Sequence, residues 1–163
     1  MENKQNFYDL TFEELKTFLV EKVGVEKGKE KMRAQQLFSA IYKKGLRNFN
    51  DLTTVTNDLR KELNNVLSLD LPKIVKTEIA DDKTIKWLLE LNDENKNLIE
   101  VVLIPSKSRN TICVSVQVGC AMSKNSACVH CATGTQLLVK NLSASEIVMQ
   151  MMIAKRHLND FGD

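Results

Sequence analysis

Long apolar runs are absent from this sequence, and no stretch approaches the roughly 20 residues that a membrane-spanning helix needs. The first residues also lack the pattern of a secretory signal peptide. Internal repeats, low-complexity tracts and glycine-rich phosphate loops are lacking as well, so neither a repeat architecture nor a P-loop site is predicted. With 27% charged residues, these absences predict a soluble, cytoplasmic protein that has no membrane partner.

Excess charge of one sign is also lacking, because 23 basic side chains stand against 21 acidic ones and the net charge is only +2. So small a charge does not by itself indicate a nucleic-acid-binding protein. What the chain does have is a hydrophobic fraction of 43%, which is enough for a folded core. Its 163 residues can form one domain or two small ones, so function has to be sought in local motifs.

Apolar residues at helical spacing predict three helices, which run between Thr11 and Gly24, from about Glu30 to Lys44, and from about Thr56 to Leu67. Thr11 and Glu14 form a capping box at the start of the first helix. Gly45 is a typical C-terminal stop for the second. The short connections between the helices predict a compact helical domain over residues 1–70.

Beyond Pro72 the apolar spacing changes to that of strands, which are predicted over residues 74–80, 85–91, 98–104 and 112–118. The first three strands are joined by polar turns and form a small antiparallel segment within residues 71–110. The fourth is almost continuously apolar, which is typical of a parallel strand buried on both faces. A helix capped by Ser143 and Glu146 follows it, so residues 111–163 form one strand–loop–helix unit.

Three of the four cysteines, Cys120, Cys128 and Cys131, lie within twelve residues on the polar loop of that unit. In the reducing compartment expected for this chain, clustered cysteines bind a metal or an iron–sulfur cluster more often than they form disulfides. Ligands of α/β proteins also bind at the carboxyl ends of strands, where this loop begins. The loop is therefore the candidate metal or iron–sulfur site.

Two other kinds of function stay open on the residues alone. A small zinc protein would use acceptable ligand types at an unusual spacing, namely Cys120, Cys128, His130 and Cys131. A non-catalytic RNA-binding module would be built on residues 1–70, with lysine and arginine side chains on the phosphates. Metal analysis distinguishes the first from an iron–sulfur protein, and salt-dependent RNA binding tests the second.

Six segments, in order along the chain, resemble the RlmN-type radical-SAM RNA methyltransferases. Three are similar to that family's helical accessory domain: Arg33–Leu37, Ile41–Gly45 and Phe49–Thr53. The other three resemble its cluster region: Arg109–Met122, Cys131–Gln136 and Asn141–Ile147. The resemblance implies an α+β fold, with an N-terminal helical bundle, a small antiparallel β segment and the first βα unit of a truncated, TIM-like radical-SAM barrel.

The resemblance also implies an enzyme that methylates C2 of an adenine in large-subunit ribosomal RNA and in transfer RNA, with S-adenosylmethionine (SAM) and a 4Fe–4S cluster as cofactors. By this resemblance, Cys120, Cys128 and Cys131 are the cluster ligands. Cys113 matches the family's second catalytic cysteine, which forms a transient disulfide, and Glu100 matches its general base. Without the resemblance, Cys113 is explained as a small, buried apolar residue of a strand and Glu100 as the solvent-facing residue of an edge strand.

The sequence departs from the family pattern in the cluster loop, where seven residues separate Cys120 from Cys128 instead of three. Four additional residues cost well under about 1 kcal/mol in loop entropy, so geometry is the harder constraint on three thiols that share one cluster. Residues 111–163 also provide only one of the several βα units of a barrel. We therefore expect that this chain does not methylate RNA by itself, and that the missing C-terminal half is its partner. We expect the full-length protein to be a monomer.

Overall fold

A computed structural model describes residues 4–125 and 132–162 of the chain. These residues form two compact units. The first unit comprises the chain up to Asp70 together with the segment from Lys155, and the second comprises Leu71–Ala154. Each unit buries its own set of apolar side chains. None of the helices in the described ranges combines the length and apolarity that crossing a bilayer would require.

The first unit contains the three helices that the apolar spacing predicts: α1 (Phe12–Glu21), α2 (Glu30–Phe38) and α3 (Asn57–Val66). The second predicted helix does continue beyond α2, but its last part, Ser39–Lys43, is a π-helix rather than an α-helix. The N–H of Lys44 donates to the carbonyl of Ser39 at 3.1 Å, which is the wider turn of a π-helix. The predicted helical region is therefore present, with an irregular end.

The predicted helix signals in this unit act as expected. The Thr11 hydroxyl accepts from the N–H of Glu14, and the Glu14 carboxylate accepts from the N–H of Thr11, so the capping box is confirmed. Gly24 and Gly45 follow the first two helical regions with φ angles of 77° and 69°. Only glycine adopts this left-handed conformation without steric cost, which explains why both helices end there.

A feature of the first unit that the sequence did not indicate is a short parallel pair of strands. β1 (Gln5–Asn6) pairs with β2 (Leu67–Ser68), which brings the start of the unit beside the end of α3. Strands of two residues carry no readable alternation, so no pattern could have predicted them. Behind them lies an aromatic cluster in which the ring of Phe7 is 5.4 Å from that of Phe38 and 5.9 Å from that of Tyr42.

The second unit is built on a four-stranded antiparallel sheet in the order β3 (Lys73–Ile79), β4 (Ile85–Glu90), β5 (Leu98–Ile104) and β6 (Thr111–Cys113). The first three strands confirm the strands predicted for this region within a residue or so at each end. β4 and β5 alternate between buried and less buried residues, with Trp87, Leu89 and Val101 almost fully buried. This sheet therefore has one core face and one open face.

The prediction of a continuous, doubly buried parallel strand over residues 112–118 is wrong. β6 pairs antiparallel with β5, the chain then leaves the sheet, and β7 (Gln117–Val118) pairs antiparallel with β8 (Lys140–Asn141). Val116 between the two strands is 56% exposed. Within the described ranges there is accordingly no barrel, and the fold is α+β with helices, an antiparallel sheet and a C-terminal helix.

The last helix, α4 (Ala144–Leu158), begins in the second unit, and its residues from Lys155 belong to the first. The predicted cap is confirmed, because the Glu146 carboxylate accepts from the N–H of Ser143 at 2.8 Å and the Ser143 hydroxyl accepts from the N–H of Glu146 at 3.2 Å. Met149 and Met152 are buried, as expected for core methionines. In the second unit α4 is linked to the chain after β6 by hydrogen bonds between Gln150 and Ser115.

Candidate active site on the sheet and the cysteine loop

Glu100, the carboxylate matched to a general base, lies in the middle of β5 on the open face of the sheet. Its side chain is 54% exposed, and the strand pairing places it opposite Leu88 of β4. The Nζ atom of Lys86 lies 3.2 Å from its carboxylate. Glu100 is therefore a solvent-accessible acid that is paired with Lys86.

The charged neighbours of Glu100 form a chain of ion pairs across three strands. Lys86 also lies 3.0 Å from Glu78, and Glu78 is 2.6 Å from Lys76. Hydrogen bonds from Lys76 and Lys86 lower the pKa of Glu78 to about 2, and hydrogen bonds to Glu78 and Glu100 raise the pKa of Lys86. At neutral pH Glu78 and Lys86 are therefore charged, and the Lys86 ammonium group lies within 3.0 Å of the Glu78 carboxylate and 3.2 Å of the Glu100 carboxylate.

Cys113, the last residue of β6, lies on the same open face. It is opposite Val102, which is two residues from Glu100 along β5. Diagonal neighbours of this kind in a sheet are about 7–8 Å apart. The thiol is free and exposed. The structure therefore brings Glu100 and Cys113 together on one accessible surface, and the view of Cys113 as a buried apolar residue is wrong.

The chain after Cys113 is held by Gln150 of α4, a residue that the sequence did not single out. Its amide oxygen accepts from the N–H of Ser115 at 2.8 Å, and its amide nitrogen donates to the Ser115 carbonyl at 2.9 Å. Gln150 is fully buried. Ser115 lies between β6 and β7, and the Gln150 side chain thus bonds both of its backbone groups. A polar residue on the apolar side of the predicted helix was the available signal.

The Ser115 side chain makes a second link, because its hydroxyl donates to the backbone carbonyl of Glu100 at 2.8 Å. Ser115 is therefore bonded to α4 through its backbone and to β5 through its side chain. As a result, the segment between Cys113 and the cysteine loop is fixed relative to the strand that carries Glu100. Spacing along the sequence gave no indication of these bonds, since 35 residues separate Ser115 from Gln150.

Cys120 stands at the base of the cysteine loop, directly after β7. Its N–H donates to the carbonyl of Gln136 at 3.1 Å, and its carbonyl accepts from the Ser123 hydroxyl at 2.8 Å. The residue is half-buried and its thiol is free. The main-chain bond from Cys120 to Gln136 therefore closes the base of the loop that contains Cys128 and Cys131.

Gly119 makes this closure possible. Its φ angle is +75°, and a Cβ atom added there would lie 2.0 Å from the carbonyl oxygen of Leu137. The obstructing atom belongs to the backbone, so no side-chain movement can relieve the contact. A glycine directly before a candidate metal-binding cysteine was a signal that the sequence contained.

The other two predicted cluster ligands, Cys128 and Cys131, lie outside the described residues, as does His130 of the zinc alternative. The set of three thiol ligands therefore stays a prediction. The described part of the site is compatible with it in chemistry, because Cys120 offers a free thiol at the base of the loop. Thiolates are the ligands that iron–sulfur clusters require.

Lys140 stabilises the far side of the same loop. Its Nζ atom lies 3.0 Å from Asp93 in the turn between β4 and β5 and 2.8 Å from Glu146 in α4. Burial alone would lower the pKa of Lys140, but its hydrogen bonds to Glu146 and Asp93 outweigh that effect and raise it. For Asp93, burial acts to raise the pKa, but hydrogen bonds from Asn97 and Lys140 lower it to about 2. β8, the β4–β5 turn and α4 are therefore linked through one ammonium group.

Comparisons with known proteins show which sequences this chain is similar to. The family model for the ribosomal RNA large subunit methyltransferase N-terminal domain matches residues 5–69. The dual-specificity RNA methyltransferase RlmN of Nitrobacter winogradskyi is 43% identical to this chain over 145 residues, which are 86% of this chain and 36% of that protein. The RlmN protein of Agrobacterium fabrum is 39% identical over the whole of this chain and 39% of its own length.

A solved structure is similar as well. The crystal structure of a radical SAM methyltransferase from Sphaerobacter thermophilus matches this fold with a TM-score of 0.79 and 35% sequence identity. The match covers 96% of this chain and 43% of that one. This chain therefore spans less than half the length of the proteins that it matches.

Proposed function

We propose that this chain takes part in radical-SAM methylation of C2 of an adenine in large-subunit ribosomal RNA and transfer RNA. The chain belongs to the RlmN family and matches the N-terminal portion of its members. One observation carries the proposal beyond the family match. Glu100 and Cys113 share the open face of the sheet, and the chain from Cys113 leads through a fixed segment to Cys120. An acid and a thiol thus share one accessible surface, and the chain connects that surface to the free thiol of Cys120.

In this proposal Cys120, Cys128 and Cys131 would hold a 4Fe–4S cluster, and SAM would bind next to that cluster. When bound, the cluster and SAM supply the radical chemistry that activates a methyl group. Cys113 is the resolving thiol: its sulfur would form a disulfide with the cysteine that carries the RNA adduct, while the carbon–sulfur bond to the RNA breaks and the methyl carbon stays on the adenine. This step needs an accessible thiol, and Cys113 is exposed. Glu100 accepts a proton from the adenine carbon, and Lys86 at 3.2 Å keeps its carboxylate in position.

The helical unit is proposed to bind the RNA substrate. Support comes from the match of residues 5–69 to the N-terminal domain model of a ribosomal RNA methyltransferase family. The second unit is proposed to pack against the further length that its relatives have. Apolar side chains that flank the cysteine loop on its described sides are exposed, and these are Val116, Met122, Leu137 and Val139.

Methyl transfer by a completed protein tests the proposal. We would join this chain to the remaining C-terminal part of the Agrobacterium fabrum relative, which aligns with it over its full length. The chimera is expected to transfer a labelled methyl group from SAM to an adenine-containing ribosomal or transfer RNA fragment. Glu100→Gln should reduce the rate by about 10²- to 10⁴-fold, because a general base typically contributes that much.

Cys113→Ser provides a second variant with a different signature. Without the resolving thiol the covalent adduct between protein and RNA should persist, so a protein–RNA species should be visible on a denaturing gel while methylated product is lost. Lys107→Gln, in the exposed loop after β5, is the matched control and should leave the rate unchanged. A chimera that loads its cluster yet methylates no RNA, or a fully active Cys113→Ser variant, would refute the assignment.

A further inference from the structure

We propose that a groove in the first unit, beside the π-helix Ser39–Lys43, binds an unpaired nucleotide of the RNA. The inference rests on the proposed function in one respect, because it takes RNA as the substrate. It goes further by naming the surface and the kind of nucleotide that this surface accepts. The groove has a volume of about 940 Å³, which lies in the range of small-molecule binding sites.

Aromatic rings form the apolar part of the groove. Phe12, Phe38 and Tyr42 all line it, and all three side chains are half-buried, so part of each ring is accessible. The rings of Phe38 and Tyr42 lie 5.2 Å apart and support one another. Bases of single-stranded nucleic acid stack on such rings, and this stacking accepts any base because each has a π face.

Positive charge forms the rim. Lys31, Lys43 and Lys44 line the groove, against the single acidic residue Asp51. Among the described residues none of the three lysines takes part in an ion pair. They are exposed, so their ammonium groups are available for phosphate oxygens.

A second groove of the same unit carries the opposite charge, which supports the choice of the first groove as the RNA-binding surface. That groove runs along α1 and is lined by three acidic residues, Glu13, Glu14 and Glu21, with Lys22. An RNA backbone is repelled from such a surface and attracted to the lysine rim. Overall net charge hides this separation, which explains why composition gave no nucleic-acid signal.

The backbone of the groove is irregular at the place where the charges and rings meet. Tyr42 and Lys43 both belong to the π-helix, whose wider turn changes the direction of its side chains relative to an α-helix. π-helical turns are uncommon and are often found at functional sites. Ring, ammonium and irregular backbone thus coincide at two consecutive residues.

An unpaired nucleotide is the ligand that uses all of these features. A base that is stacked and paired in a duplex cannot reach rings inside a groove, whereas a base in a loop or bulge can. An acidic peptide would satisfy the lysines but would leave the rings without a stacking partner. The geometry therefore favours single-stranded RNA over duplex RNA and over acidic protein.

The test uses the full chain and a short single-stranded RNA with 2-aminopurine at its centre. Stacking on a ring quenches 2-aminopurine fluorescence, and the same strand in a duplex serves as the competitor. The double variant Lys43→Gln/Lys44→Gln should raise the Kd about tenfold at low salt. It should also reduce the slope of log K against log salt by about 1.4, since each single-strand phosphate contact contributes about 0.7.

Asp51→Asn should change the RNA affinity in the opposite direction. An increase in affinity cannot be explained by damage to the fold. Removing the acidic charge from the rim should tighten binding about two- to fivefold. Tyr42→Leu should remove the fluorescence quench and weaken binding about tenfold. Lys22→Gln changes the same charge in the acidic groove and should leave the affinity unchanged.

Several results would overturn the proposal that this groove binds RNA. These are equal affinity for duplex and single strand, RNA binding that the groove variants do not change, and preferential binding of a polyglutamate peptide. The absence of any RNA binding at low salt would overturn it too. Methyl transfer by the chimera is measured separately, so a failed groove with a working chimera, or the reverse, can be told apart.

Discussion

Replacing Gly119 by alanine is expected to open the base of the cysteine loop. The new Cβ would lie 2.0 Å from the Leu137 carbonyl oxygen, and the φ angle of +75° is itself unfavourable for alanine. The left-handed conformation costs of order 1–3 kcal/mol and relief of the clash a similar amount. The free energy of unfolding of the second unit should therefore fall by about 2–5 kcal/mol.

Trp87 makes this loss measurable. It is the only tryptophan of the chain and is buried in the sheet core of the second unit, so its fluorescence follows urea unfolding of that unit. Hydrogen exchange at the Cys120 amide, which donates to Gln136, should become much faster in the variant.

Gly28→Ala is the matched control for Gly119→Ala. Gly28 has a φ angle of +93°, but no atom lies within 4 Å of an added Cβ. Its cost should therefore be limited to the conformational part, about 1 kcal/mol, measured by circular dichroism of the helical unit. Equal and small losses in both variants would show that the close approach to Leu137 does not constrain the loop.

Replacing Gln150 by leucine should also destabilise the second unit strongly. Leucine has a similar size but cannot bond the Ser115 N–H and carbonyl, which Gln150 contacts at 2.8 and 2.9 Å. Each Ser115 backbone group that loses its partner in this half-buried place costs about 1–3 kcal/mol, so urea unfolding should show a loss of about 2–5 kcal/mol. In addition, the Ser115 amide should lose its protection from hydrogen exchange.

Gln150→Glu separates the two bonds. Its carboxylate can still accept from the Ser115 N–H, but at this fully buried position its second oxygen would face the Ser115 carbonyl, so at neutral pH the loss should be at least as large as in Gln150→Leu. Met151→Leu, on the exposed side of α4, is the control and should change stability by less than about 0.5 kcal/mol. Wild-type stability in Gln150→Leu would mean that the side-chain bonds to Ser115 are dispensable.

Local signals predicted most of the fold because they depend on neighbouring residues. Capping boxes at Thr11 and Ser143 and the glycine stops at Gly24 and Gly45 need only a few residues, and the structure contains all four. The strand predicted over residues 112–118 failed for the opposite reason. An apolar run can occupy several environments. Here Gln150, which is 35 residues away from Ser115 in the sequence, forms a hydrogen bond with the Ser115 backbone in the middle of the run.

For the candidate site too, the sequence identified residues but not the contacts between distant parts of the chain. Glu100 and Cys113 were identified through family resemblance, whereas their shared face follows from the register of β5 with β6. The contact of Lys86 with Glu100 likewise depends on the pairing of β4 with β5. Long-range pairing of this kind cannot be deduced from a period-2 pattern alone. The roles of Cys128 and Cys131 stay predictions that rest on the sequence.

The most direct measurement is anaerobic reconstitution of the chain with ferrous iron and sulfide, followed by metal analysis. The wild-type chain and Cys113→Ser should both take up iron and sulfide and develop the broad visible absorbance of a 4Fe–4S cluster, because Cys113 is not a ligand in this account. Cys120→Ser should take up neither. Uptake of zinc alone, or equal loss of the cluster in Cys113→Ser and Cys120→Ser, would contradict a three-cysteine cluster in this loop.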